Sequence, residues 1–390
     1  MKSATGYKMI MMLVVIGGIL ISSAHTPWGF YGHKLINKMA VFTLPQDVLV
    51  FYKQHIHYIS EHAVDPDKRR YALKNEAYRH YIDLDHWGTY PFDNVPRDLK
   101  AAIQSHAELK GITLEGDTLN LTSSIRDSEA FFKEFIQFDQ YSVVVNIDPL
   151  DAKPFLNDTL QYSEVIFKNH FAEYGVLPFF LEHYFQRLVK AFESGDVDFI
   201  LKISADIGHY ISDAHVPLHT TKNYNGQLTD QLGIHAFWES RLPELFAEED
   251  YDMLVGKAIY IIDKEEYFWN IVLDSHQLLA EVLNEEWNLK QSFPEDRQFC
   301  FDKRGDYTVR TQCPEYAKAY HEALGGMVEQ RMRDAILATG SVWYSAWIDA
   351  GQPDLDILVS NLDEEQLLKQ QKELEAAKNA NEIYGRSHGN

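Results

Sequence analysis

The segment Ile207 to Thr220 reads IGHYISDAHVPLHT and concentrates groups that bind metals. His209 and Asp213 stand four residues apart in a run of helical periodicity, so their side chains share one face and can reach one ion. His219 follows Pro217, where the helix must end, and so projects from a different backbone direction. Downstream, Gly233 to Ser240 (GIHAFWES) repeats the four-residue spacing with His235 and Glu239. Neutral imidazole and carboxylate are good zinc ligands, and neither is lost to disulfide formation. A single such pair arises by chance on a solvated helix face. Two pairs bracketing a histidine behind a helix-ending proline point to a bound cation.

Two further segments can join that site. Val64 to Asp85 (VDPDKRRYALKNEAYRHYIDLD) supplies His80 and either Asp65 or Asp67. Arg69 and Arg70 lie beside them, as phosphate binding would want. Taken alone, this stretch also reads as a charged helix with ordinary surface pairs. Trp28 to His33 (WGFYGH) contributes His33; by itself it would mean only a packed start to the fold. Burying this many imidazoles and carboxylates without cations among them would be very costly, so core packing explains them poorly.

The elements that must hold these groups are mostly helical. Lys34–Phe42, Val48–His62, Leu177–Glu193, Phe199–His215, Ala258–Leu289 and Tyr316–Leu337 carry apolar residues at three- and four-residue intervals. Residues 88–165 show little helical periodicity and contain one plausible strand, Tyr141–Ile147. The expected fold is mainly α: one large helical domain over residues 25–355, with long loops and at most a short strand or hairpin. With 390 residues, 45% hydrophobic and 24% charged, the chain can build a large core, and wholesale disorder is excluded. Lys+Arg number 36 against Asp+Glu 58, a formal charge of −22, which argues against stable binding of duplex DNA through a basic patch.

The ends read differently. A basic start (Lys2, Lys8), the apolar run Met9–Ile21 and the small residues Ser22, Ser23 and Ala24 fit a signal peptide over residues 1–24. That predicts a secreted or periplasmic protein with no transmembrane span in its mature form. In an oxidising compartment Cys300 and Cys313 can pair across a small loop, or both can remain free and buried. Residues 356–390 form a charged tail with sparse leucines, read as a solvated helix or a disordered end.

Taken together, WGFYGH, an aspartate fifteen residues before the histidine of RHYID, GHYISDAHVPLH and HAFWE resemble the zinc-dependent phospholipase C and single-strand-specific nuclease superfamily. The resemblance spans residues 28–240 and implies three zinc ions in a cleft of an α-helical domain. Carried over, one zinc would be held by Asp65, His80, His209 and Asp213, the fifteen-residue spacing favouring Asp65 over Asp67. A second would take His219, His235 and Glu239, and a third His33, Asp213 and the backbone of Trp28. In that superfamily the tryptophan begins the mature chain and its free amine binds metal. Here, cleavage after Ala24 would leave His25, Thr26 and Pro27 ahead of Trp28.

Such a centre hydrolyses phosphodiesters. Two zinc ions about 3.5–4 Å apart, bridged by Asp213, bring a shared water toward a pKa of ~7 for in-line attack on phosphorus. Asp65 would orient that water and Arg69 would meet the phosphate. Substrate is divided: the WGFYGH and Asp–His spacings resemble the nucleases, whereas the sixteen-residue step from His219 to His235 and the glutamate at 239 resemble the phospholipases. Tyr81, Tyr224 and Trp238 are candidates to stack against a base of single-stranded nucleic acid. The net charge tips the expectation toward a phospholipid head group. A zinc-binding protein without activity is the remaining alternative. His215, just past Asp213, stands between a supporting role in the site and ordinary packing.

Overall fold

A computed structural model describes residues 30–135, 143–304 and 307–356, with Leu358, Lys372, Ala376 and Arg386 of the tail. Residues 1–29, which include the expected signal peptide and Trp28, and most of residues 356–390 lie outside the described residues.

Helix Val197–Ala214 is the axis around which the rest is built. Asp196 caps its first turn by accepting from the Phe199 N–H at 3.0 Å, and Pro217 begins the 3₁₀ turn Pro217–Thr220 just beyond it. Helix Leu177–Ser194 ends at Gly195 in the left-handed conformation, so the two helices form an antiparallel hairpin. Helix Met327–Asp349 packs across both, and Trp343 donates its ring N–H to the Ser204 carbonyl at 3.0 Å. Helix Phe30–Ala40 packs against both Val197–Ala214 and Met327–Asp349. A Cβ at Gly208 would collide with the Asn37 side chain, so glycine permits the approach that stacks His33 on His209, ring centroids 4.0 Å apart. Asn37 seals the contact by donating to the Ala205 carbonyl at 3.0 Å.

The mainly-α expectation holds, with boundaries shifted by local chemistry. Val48–His62 divides into Gln46–Gln54 and Ile56–Glu61 at His55. Tyr316–Leu337 breaks at Gly325 and Gly326, both at positive φ, into Pro314–Ala323 and Met327–Asp349. More β-structure forms than a strand or hairpin. Thr118–Asn120, Ala107–Thr113, Tyr162–Asn169 and Val144–Ile147 build a four-stranded antiparallel sheet in that spatial order. Strand Tyr162–Asn169 buries Val165 and Phe167 on alternate positions against Phe131 and Phe132 of helix Ser128–Phe135, giving this insertion a core of its own. A second hairpin, Phe299–Arg304 with Tyr307–Gln312, is tied by the Cys300–Cys313 disulfide. No helix among the described residues is long and apolar enough to cross a membrane.

Candidate metal centre

Where the Val197–Ala214 helix ends, five imidazoles and three carboxylates from four separate segments converge. They form three groups able to hold a metal ion: His33, His209 and Asp213; Asp67, His80 and His209; His219, His235 and Glu239. Asp213 is the hub. Its Oδ2 lies 2.8 Å from His80 Nδ1 and 3.2 Å from His209 Nε2, while Oδ1 lies 3.5 Å from His33 Nε2 and 4.0 Å from His219 Nε2. Glu239 plays the corresponding part on the other side, 2.8 Å from His235 Nε2, 3.5 Å from His219 Nε2 and 3.4 Å from His33 Nε2.

Local structure explains these positions. His209 and Asp213 share a helix face, as their spacing requires. His235 and Glu239 do so through a single turn, Ile234–Ala236, that widens into the π-helix Phe237–Arg241. Gly233, at φ 95°, makes the sharp entry to that turn. The imidazoles are aimed from behind. His209 donates from Nδ1 to the Ala63 carbonyl at 2.8 Å, and His219 from Nδ1 to the His80 carbonyl at 2.5 Å. Each bond leaves Nε2 facing the cluster.

The donor set fits a cation. With Nδ1 committed to a carbonyl, neutral His219 aims a lone pair at Glu239 and at His235 Nε2, which stands 3.1 Å away. His209 Nε2 likewise faces His80 Nδ1 at 3.1 Å and the Asp213 carboxylate. Lone pairs and carboxylates this close repel unless protons or metal ions stand among them. Without metal the burden falls on protons. Burial works against charge on His209, but Asp213 and Asp67 carry it up to about 9. Burial drives His80 the other way, to about 4, against the pull of Asp213. Burial would also raise Asp213, yet His209 and His219 hold it well below the usual carboxylate range. Divalent ions at these positions would replace the shared protons.

Three expectations need correction. Asp65 does not enter the cluster: its carboxylate accepts from His62 Nδ1 at 2.6 Å and from Lys68 at 3.0 Å. Asp67 takes that place, 3.9 Å from both His80 Nδ1 and His209 Nε2. Both lie on the short helix Asp65–Arg69, where residues two apart point to nearly opposite sides, a distinction that linear spacing cannot make. Arg69 does not reach a phosphate site either. It is spent on Asp206 at 3.0 Å, the Tyr210 hydroxyl at 3.3 Å and Glu76 at 3.5 Å. Its neighbour Arg70 faces the cluster instead, with Nη1 3.4 Å from Asp67. Trp238 is 3% exposed and sits within a hydrophobic core, so it offers no open stacking face. The Tyr224 ring lies 6.2 Å from that of His235, while Tyr81, next to His80 in sequence, donates its hydroxyl to the Glu173 carbonyl at 3.3 Å.

His215 is buried, donates from Nδ1 to the Ile211 carbonyl at 2.7 Å, and stands outside all three groups. Burial and the neighbouring Arg331 hold it well below the usual histidine range, so it is neutral. Asp83 and Glu76 also belong to the surroundings of the site. Asp83 sits three residues after His80, a position whose only signal was its place in the HYID motif. Glu76 is wholly buried between Arg69 and Arg79 beneath the cluster, and in sequence it resembles any helical glutamate. No family model matches this chain, and no curated protein matches it.

Proposed function

We propose that this chain is a zinc-dependent phosphoric-diester hydrolase, acting on phospholipid head-group diesters. One observation carries the proposal: a single carboxylate, Asp213, stands between two sets of imidazoles, His80 and His209 on one oxygen and His33 and His219 on the other. A bridging carboxylate of this kind suits paired ions. Asp67, His80, His209, Asp213, His33, His219, His235 and Glu239 would hold the metal, which would supply Lewis-acid polarisation of the phosphoryl group and acidify a coordinated water.

The chain's own residues have separate tasks. Asp213 and Glu239 fix the spacing of the imidazoles and neutralise cationic charge. Asp67 offers a carboxylate oxygen at the edge of the cluster, where it can accept a proton from an attacking water. Arg70, 3.4 Å from Asp67, keeps that carboxylate in place and presents a guanidinium to a phosphate oxygen. Asp83, with the Tyr81 and Tyr224 rings, surrounds a cationic group beside the centre, which favours a head group bearing an ammonium. The overall charge of −22 leans the same way, against a long polyanion.

The pair of tyrosine rings also supports a second reading, a single-strand-specific nuclease that stacks a base between them. Turnover of phosphatidylcholine in mixed micelles against single-stranded DNA, each by zinc-loaded enzyme, separates the two. Hydrolysis of neither, nor of an aryl phosphodiester, by protein holding its full complement of metal would sink the hydrolase proposal.

A further inference from the structure

The cage at the edge of the metal cluster is filled by the chain itself. The guanidinium of Arg386 lies over the Tyr81 ring at 3.5 Å from its centroid and 4.6 Å from that of Tyr224. It donates to the Asp83 carboxylate, and its Nη1 donates to the Thr221 carbonyl at 3.4 Å. At the same residue the backbone carbonyl accepts from Arg70, the guanidinium that also contacts Asp67. One residue thus presents a planar cation to two aromatic rings and a carboxylate, and an acceptor oxygen to Arg70, which contacts Asp67. These partners come from parts of the chain more than 160 residues before Arg386.

We infer that Arg386 is an intramolecular inhibitor that imitates the substrate. Its guanidinium takes the cage meant for the substrate's cationic or planar group, and its carbonyl takes the Arg70 contact meant for a phosphate oxygen. The chemistry is economical for this purpose. Two aromatic faces and a buried carboxylate hold a guanidinium well, because the weakly hydrated, planar cation loses little on leaving water. The attachment is in cis, so even a weak contact competes at high effective concentration. Productive binding at the centre then requires Arg386 to leave. This inference rests on the proposed function only for what the tail blocks; the docking of Arg386 stands apart from any activity.

The test has two arms on the full-length, zinc-loaded chain. In the first, trypsin cleavage after Arg386 is timed by intact mass, following the product that lacks only residues 387–390. The same bond in a free peptide of residues 380–390 is the reference. Docked Arg386 should be cleaved at least tenfold more slowly than in the peptide. Asp83→Asn and Tyr224→Ala, each checked for an unchanged melting profile, should each remove most of that protection. In the second arm, Arg386→Ala should lower KM for an aryl phosphodiester at least threefold with kcat unchanged, and Arg386→Lys should fall between. Peptide-like cleavage in the parent chain overturns the inference, as does an unchanged KM in an active Arg386→Ala enzyme. If no phosphodiester is hydrolysed by any variant, the hydrolase reading fails. Protection lost in Asp83→Asn would then still support the docked tail.

Discussion

His219 donates from Nδ1 to the backbone carbonyl of His80 at 2.5 Å, so one candidate ligand is aimed by the main chain of another. The bond joins two of the three candidate metal groups through a single peptide unit. It also makes the sequence position of His80 matter twice, once for its ring and once for its carbonyl.

Asp213→Asn should be the most damaging single change in the cluster. An amide cannot present two anionic oxygens to imidazoles on both sides. Metal content should fall by at least one ion per chain, and turnover of an aryl phosphodiester by more than ~100-fold. Glu239→Asp keeps the charge and shortens the reach by one methylene, so it should be milder in both measures. The reverse ranking would place the hub at Glu239.

Asp67→Asn and Asp65→Asn should separate cleanly under elemental analysis. Asp67 borders His80 and His209, and its loss should cost bound metal. Among the described residues Asp65 pairs with His62 and Lys68, so its amide should retain full metal content and shift the melting temperature slightly. Metal loss from the Asp65 variant alone would reverse the assignment.

Chelation should lower thermal stability as well as activity. The candidate ligands come from residues 33, 67–80, 209–219 and 235–239, and ions shared among them tie those segments together. Differential scanning calorimetry before and after exhaustive chelation checks this; coincident transitions would mean that the protein scaffold holds the site without metal.

Glu76→Gln should destabilise the fold by roughly 1–3 kcal/mol, because it takes the anion from the partly buried guanidinium of Arg79 and leaves Arg69 with Asp206. Burial alone would raise the Glu76 carboxyl, but Arg69 and Arg79 bring it down to about 2. Its contribution is therefore complete above the ordinary value of 4.5 and fades as pH falls toward 2. Chemical denaturation across that window should show a flatter acid limb in the variant than in the parent.

Asp83 should make the tail contact sensitive to pH. Burial is the largest influence and raises its carboxyl to about 6, with Asp85 adding to the rise and Arg386 and Lys222 opposing it. A raised carboxyl favours the folded chain while protonated, and that advantage is lost as pH rises through 6. The ion pair with Arg386 gains over the same range, since it needs the carboxylate. Protection of Arg386 from trypsin, relative to the free peptide, should therefore be stronger at pH 7.5 than at pH 5.5. Asp83→Asn should abolish the difference.

The helical spacing of His209 with Asp213 and of His235 with Glu239 was legible in the chain, because ligands four apart on one helix are placed by local geometry alone. So was the mainly helical fold, since apolar periodicity reports which face each helix buries. One edge strand, Val144–Ile147, falls within the expected strand Tyr141–Ile147, but the four-stranded sheet was not legible, because its central pairing joins residues some fifty to sixty positions apart. The choice between Asp65 and Asp67, and between Arg69 and Arg70, depended on how a five-residue helix is rotated against helix Val197–Ala214. Packing sets that rotation, and neighbouring residues on one helix point in different directions. Arg386 carried no signal at all: an arginine in a charged tail acquires meaning only when the fold brings Tyr81, Asp83 and Tyr224 to meet it.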